Sequence, residues 1–127
     1  NNGLMGANVF GVVATEAAYR HGEEWLAEAM AYIHENYRVM TNYFAQHLPQ
    51  LKVIEPQGTY LVWVDFRALG LDRARRKQLI LDEARVFLDE GEMFGVEGSG
   101  FERFNLACPR SILLEALERI KTAVSHL

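Results

Sequence analysis

The chain has 127 residues and a mass of 14.5 kDa, and half of its residues are hydrophobic, which suffices for one domain with its own core. Its 13 basic and 17 acidic residues give a net charge of −4, which argues against nucleic acid as a partner because phosphate neutralisation needs excess Lys and Arg. No apolar run reaches the roughly 18 residues of a membrane span. The single cysteine, Cys108, excludes an internal disulfide and favours the reducing cytoplasm.

The N-terminal part of the chain predicts a loop followed by two helices. Residues 1–11 are rich in Asn and Gly and predict the loop, and residues 12–20 are compatible with a helix that stops near Gly22. A long helix begins at Glu23 and is stopped by Pro49. Its apolar residues recur at spacings of three and four and form one stripe: Leu26, Met30, Ile33, Tyr37, Met40, Phe44 and Leu48.

Beyond Pro49 the pattern changes to that of strands. Strands are predicted at 52–55, 60–66, 86–88 and 103–107, with a helix over 74–84 and a last helix opened by Pro109 and Ser111. The strand at 60–66 has apolar residues on both faces, which predicts burial on both sides, with Tyr60 and Trp63 in the core. Residues 91–100 carry several glycines and predict an irregular loop.

The order of elements is therefore α, α, β, β, α, β, β, α. This mixture predicts the α+β class and a two-layer α/β sandwich. The basic run of Arg73, Arg75, Arg76 and Lys77 is expected on a solvated helix face.

The familiar signatures of catalytic and metal sites are absent from the sequence. The four histidines include no i, i+4 pair, so no metal site is predicted. There is no G-x-S-x-G nucleophile elbow, and the glycines of 91–100 match neither a P-loop nor G-x-G-x-x-G.

The strand at 103–107 carries the most informative pattern. Alternation places Phe104 and Leu106 on one face, against the core, and Arg103 and Asn105 on the other. Arginine offers a planar fork of donors that suits a carboxylate, and a strand fixes that fork better than a loop. From the residues alone, two readings of Arg103 stay open: a carboxylate-binding group and an arginine paired with a structural acid.

Three segments resemble a known family: Ala14–Arg20 with Gly22–Leu26, Pro56–Asp65, and the run from Phe94 through Gly95, Gly98, Gly100, Phe101, Arg103 and Asn105 to Ala107–Arg110. They resemble fold-type I pyridoxal-phosphate (PLP) enzymes of the MalY/PatB branch, the aminotransferase-like cystathionine β-lyases or C–S lyases. The matches run in family order along almost the whole chain.

The resemblance implies that the chain is the C-terminal third of such an enzyme. Residues 1–22 would close the large-domain segment, and residues 23–127 would form the small C-terminal domain with its long N-terminal linking helix. The family's catalytic lysine and its other cofactor-binding groups would lie upstream, so no catalytic residue is assigned in this chain. Lys52, Lys77 and Lys121 do not sit in the family's lysine motif.

The resemblance also implies roles for residues that are present. Arg103 would grip the α-carboxylate of the substrate. Asn105 would support Arg103, or would make a plain hydrogen bond at the strand end. Asn8 belongs to a segment that resembles one approaching the active site of the partner subunit.

The expected function is therefore part of a cytoplasmic, homodimeric, PLP-dependent C–S β-lyase that acts on cystathionine or another cysteine conjugate. One alternative is a PLP-dependent aminotransferase. An alternative of another class is a non-catalytic binding or regulatory domain. The isolated chain is expected to be inactive and to bind the cofactor weakly at most.

Overall fold

The computed structural model describes residues 8–127 and confirms the predicted α+β sandwich and the order of its elements. The helices are α1 (Val9–His21), α2 (Glu23–His47), α3 (Arg73–Lys77), which continues as a π-helix over Gln78–Glu83, and α4 (Arg110–Val124). The strands are β1 (Lys52–Val53), β2 (Leu61–Asp65), β3 (Asp89–Glu90) and β4 (Phe101–Asn105). Two 3-10 turns, Gly91–Phe94 and Val96–Gly98, occupy the predicted glycine-rich loop.

The first helix begins earlier than predicted. Residues 1–7 of the predicted loop lie outside the described residues, but α1 starts at Val9. Asn8 caps the helix, because its side-chain oxygen accepts a hydrogen bond from the Gly11 N–H at 2.7 Å. Helix α2 follows Gly22 directly and ends two residues before Pro49, as predicted.

The four strands form one antiparallel sheet in the order β1-β2-β4-β3. The third strand is not at Val86–Leu88, as predicted, but at Asp89–Glu90. Val86 is a core residue, and its N–H bonds the carbonyl of Ile80 at 3.0 Å, so this backbone closes the preceding helix instead of joining the sheet. The chain reaches β4 only at Asp89, opposite Arg103.

The core lies between one face of the sheet and residues of α2, the π-helix and α4. Side chains from α2, the π-helix, β2, β4 and α4 form a single buried cluster, in which the rings of Phe44 and Phe104 meet edge to face at 6.2 Å. Val62 and Val64 of β2 are buried, whereas Trp63 on the opposite face is half-buried. Tyr60 is 46% exposed, so its predicted place in the core is wrong. The sheet face that carries Tyr60 and Trp63 is therefore partly accessible to solvent, and the predicted burial of β2 on both sides is incomplete.

The chain divides into two compact units, of which the first ends at Tyr32 and the second comprises Ile33–Leu127. The division falls within α2, and α1 contains no buried residue. The second unit contains the whole sheet and its core. No helix of the described residues is long and apolar enough to cross a membrane.

Candidate functional site

Arg103 lies at the centre of β4, on the sheet face away from the core. Phe104 and Leu106 are buried, as predicted, while Arg103 points to the other side with 23% of its side chain exposed. The antiparallel register pairs Arg103 with Trp63 of β2 and with Asp89 of β3. Directly opposed residues share a face, so these three side chains form a row across three strands.

The guanidinium of Arg103 is held from two directions. Its Nε and Nη2 both donate to Oδ2 of Asp89, at 3.2 and 2.7 Å. Its Cζ lies over the ring of Phe94, 4.2 Å from the ring centroid, and 6.0 Å from the Trp63 centroid. Phe94 and Trp63 meet edge to face at 5.3 Å. Arg103 is therefore an ordered cation on an accessible surface, and both readings of its pattern, substrate binding and pairing with an acid, are compatible with this geometry.

The other two predicted site residues make local hydrogen bonds. Asn105 Oδ1 accepts from the Ala107 N–H at 2.8 Å, which is the strand-end alternative of the sequence analysis. Its supporting role for Arg103 stays a prediction. The Asn8 side chain caps α1, and its approach to a partner subunit also stays a prediction.

The predicted solvated basic run is wrong at Arg76. This side chain is only 3% exposed, and its Nε donates to Glu102 Oε1 at 2.8 Å while its Nη2 donates to Glu92 Oε1 at 2.6 Å. Glu102 is the neighbour of Arg103 on β4 and points into the core, where it is 2% exposed. A buried charge needs such partners because its desolvation is costly. The other members of the run pair with Glu90 or Glu83.

Glu92 connects this buried cluster to the loop that carries Phe94. Its Oε1 also accepts from Ser99 Oγ at 3.2 Å and from the Gly100 N–H at 3.3 Å. Burial raises the pKa of Glu92, but the hydrogen bonds from Arg76 and from backbone N–H groups outweigh it and lower the pKa to about 2. Burial raises the pKa of Glu102 despite its bond to Arg76. The cluster thus joins α3, the loop and β4 beneath the row that contains Arg103.

Asn36 is a supporting residue that sequence reasoning missed. It is fully buried in α2, and its Nδ2 donates to the carbonyls of Leu106 and Cys108 at 2.9 and 3.0 Å. Its Oδ1 accepts from Arg110 Nε at 3.1 Å. The sequence did contain an indication of its burial: Asn36 is a polar residue on the apolar stripe of α2, four positions before Met40. These bonds fix the chain just beyond β4.

The comparisons with known proteins identify the family. A family model described as aminotransferase class I and II matches residues 7–120. Cystathionine beta-lyase PatB of Bacillus subtilis is 41% identical over 124 residues, which cover 98% of this chain and 32% of PatB. Protein MalY of Escherichia coli is 32% identical over 97% of this chain and 32% of MalY. The crystal structure of cystalysin from Treponema denticola, which contains a pyridoxal 5′-phosphate cofactor, matches with a TM-score of 0.91 and 38% identity over 94% of this chain and 30% of that chain.

The chain belongs to the aminotransferase class I and II family, and the resemblance to the MalY/PatB branch is confirmed. It spans 32% of the length of PatB and of MalY.

None of the three lysines in residues 8–127 is buried. A lysine that forms a Schiff base is activated by burial or by neighbouring cations, which lower its pKa. Here Lys77 pairs with Glu90 at 3.0 Å, Lys121 pairs with Glu118 at 2.5 Å, and Lys52 is exposed on the edge strand β1. Within residues 8–127, no group of His, Cys, Asp and Glu is placed to hold a metal ion either. Arg103 is a partly exposed cation paired with Asp89, and its role in binding a carboxylate stays a prediction.

Proposed function

We propose that this chain supplies the substrate-carboxylate site of a PLP-dependent C–S β-lyase of the cystathionine β-lyase type. The observation that carries the proposal is the ordered Arg103 guanidinium on the accessible face of β4, in a chain 41% identical to a cystathionine beta-lyase. The substrate class is an amino acid with a sulfur substituent, such as cystathionine or another cysteine conjugate. The whole protein would work as a cytoplasmic homodimer.

In this proposal, Arg103 binds the α-carboxylate through parallel N–H···O bonds. Such a bidentate contact fixes the plane of the carboxylate, and hence the direction of the bonds at the neighbouring Cα. The core-facing residues of β4 anchor the strand, so the position of the guanidinium is set by the sheet rather than by a loop. The contribution of this chain is therefore orientation of the substrate.

The cofactor and the catalytic lysine would come from a further domain of the same protein. Residues 1–22 would then close the segment that belongs to the large domain, and residues 23–127 would act as the small domain. Asn105 would support the carboxylate site from the end of β4, and Asn8 would approach the active site of the partner subunit.

The first test is to read the coding sequence upstream of Asn1. The proposal expects a large domain with a lysine, and a reading frame that starts at Asn1 would contradict it. The protein encoded by the whole frame, with pyridoxal phosphate, should release pyruvate and a thiol from L-cystathionine.

The Arg103→Lys variant of that protein should raise KM at least about tenfold, because an ammonium cannot make the bidentate contact. The control Arg73→Lys changes an exposed pair with Glu90 and should leave KM unchanged. An unchanged KM in Arg103→Lys would refute the assigned role.

An aminotransferase is the second candidate, because aspartate aminotransferase of Pyrococcus horikoshii is 30% identical over 88% of this chain. Arg103 would bind the substrate carboxylate in the same way. Product analysis separates the two: transfer of the amino group to an added 2-oxo acid, without thiol release, would favour this candidate over the lyase.

A further inference from the structure

We infer that Asp89 is a positioning residue for Arg103: it holds the Nε–Nη2 edge of the guanidinium and so presents the Nη1–Nη2 edge to the substrate carboxylate. This inference rests on the proposed role of Arg103. The inference explains why an acidic residue, Asp89, lies next to the proposed carboxylate-binding site.

The geometry of the pair is specific to one edge. Both Nε and Nη2 donate to the single oxygen Oδ2 of Asp89. An arginine has further donors on Nη1 and a second hydrogen on Nη2. A carboxylate that approaches end-on uses one hydrogen of each terminal nitrogen, and these are the donors that the bonds to Asp89 do not use. Asp89 and a substrate carboxylate can therefore bind the same guanidinium together.

The surroundings of Arg103 restrict its remaining freedom. The Cζ of Arg103 lies over the Phe94 ring, 4.2 Å from its centroid, so displacement of the guanidinium would lose this cation–π contact. Asp89 is held opposite Arg103 by the pairing of β3 with β4. With one edge bonded to Asp89 and the Cζ over the Phe94 ring, the orientation of the remaining edge is set before any ligand binds, which reduces the entropy lost on binding.

The ion pair of Arg103 and Asp89 is partly exposed, with 23% and 37% of the two side chains accessible, and such a pair by itself contributes little stability. The expected effect of Asp89 is therefore on the order and the binding geometry of Arg103 rather than on the fold. Its negative charge opposes anion binding, so charge and orientation must be separated experimentally.

Two variants with the same charge make this separation in the 127-residue chain. Asp89→Asn removes the charge but keeps an oxygen acceptor, whereas Asp89→Ala removes both. Rotation about the Nε–Cζ bond of Arg103, measured by NMR of the guanidinium nitrogens, should be slow in the wild type and Asp89→Asn and fast in Asp89→Ala. Acetate, titrated at constant ionic strength, should bind Asp89→Asn at least about threefold more tightly than Asp89→Ala.

The control is Glu90→Gln, which removes a charge from the next residue, whose side chain pairs with Lys77 and Arg73. It should leave both the rotation of Arg103 and the acetate affinity unchanged. Equal rotation rates and equal affinities in Asp89→Asn and Asp89→Ala would overturn the inference.

Failure of the proposed function has a different signature. If acetate binds Arg103→Gln as well as it binds the wild type, Arg103 is not the carboxylate site. The rotation measurement then still decides whether Asp89 orders Arg103.

Discussion

Replacement of Arg76 by Met should destabilise the fold by about 3–5 kcal/mol, the usual cost of removing one partner from a buried ion pair. Methionine keeps most of the length of the side chain but leaves the carboxylate of Glu102, only 2% exposed, without its guanidinium. The double variant Arg76→Met/Glu102→Leu removes the two most deeply buried charges of the cluster and leaves Glu92, whose side chain is 14% exposed. It should recover at least about half of the loss, because apolar replacement of a buried pair is often neutral, and Glu92 keeps its bonds from Ser99 and from the Gly100 N–H.

The pH dependence provides an independent check on this reasoning. In Arg76→Met, burial still raises the pKa of Glu102, and the lowering by Arg76 is lost. A carboxyl with a higher pKa in the folded state than in the unfolded state costs stability as pH rises above its unfolded value of 4.5. The deficit of Arg76→Met relative to the wild type should therefore shrink as the pH is lowered from 7 toward 4.5.

The assay is urea unfolding followed by far-ultraviolet circular dichroism, with m-values compared between variants. The matched control is Arg73→Met, which removes an exposed partner of Glu90 from the same helix and should cost less than about 1 kcal/mol. A loss below about 1 kcal/mol in Arg76→Met, or a double variant no more stable than the single one, would refute the reasoning.

Three further predictions concern the loop and its surroundings. In Gly91→Ala the new Cβ would lie 2.0 Å from the Gly98 carbonyl oxygen, so urea unfolding should show a loss of at least about 2 kcal/mol, whereas Gly58→Ala, with nothing within 4 Å, should change stability by less than about 0.5 kcal/mol. The folded pKa of Glu92 is about 2 against an ordinary 4.5, so the stability advantage of the wild type over Glu92→Gln should be full above pH 4.5 and decline as the pH falls toward 2; a constant advantage would contradict this. Burial raises the pKa of Cys108, so a thiol reagent at neutral pH should react at least about tenfold more slowly with the folded chain than with the chain in urea, and equal rates would count against the burial argument.

The long periodic elements could be predicted from the sequence because their spacing reports which residues face the core. The alternation of β4 correctly predicted that Phe104 and Leu106 are buried. The stripe of α2 correctly predicted Met40 and Phe44, but its first two residues, Leu26 and Met30, are 55% and 50% exposed. The strand placed at Val86–Leu88 was wrong for a related reason. An apolar run indicates burial, and burial of Val86 needs no partner strand when its N–H bonds the preceding helix.

The sequence contains a sign that Arg76 is buried, but the basic residues around it favoured the prediction of a solvated helix face. Leu79 and Ile80 follow it at three and four positions, which places all three residues on one helical face. Both leucine and isoleucine are buried, so the arginine on their face is buried as well. The acids that pair with it come from distant positions in the chain, and their approach depends on the folded sheet.

The same limit applies to the candidate site. Arg103 could be singled out from alternation along one strand, whereas its contact with Asp89 depends on the register between β3 and β4. Fourteen positions separate the two residues, and the loop between them contains two short turns. Local pattern does not determine such a register.

Glu102 and Arg103 are neighbours on β4, and together they disfavour a one-residue shift in the register of this strand. Side chains alternate between the faces of a strand, so a shift by one residue exchanges the face of every side chain. Glu102 would then point to the accessible face and Arg103 into the core, so Arg76 would lose its bond to Glu102 and a second cation would be buried. The shifted register would be less stable, because burying an unpaired charge in the protein interior costs free energy. The buried ion pair of Arg76 and Glu102 thus favours the one register of β4 in which Arg103 lies on the accessible face of the sheet.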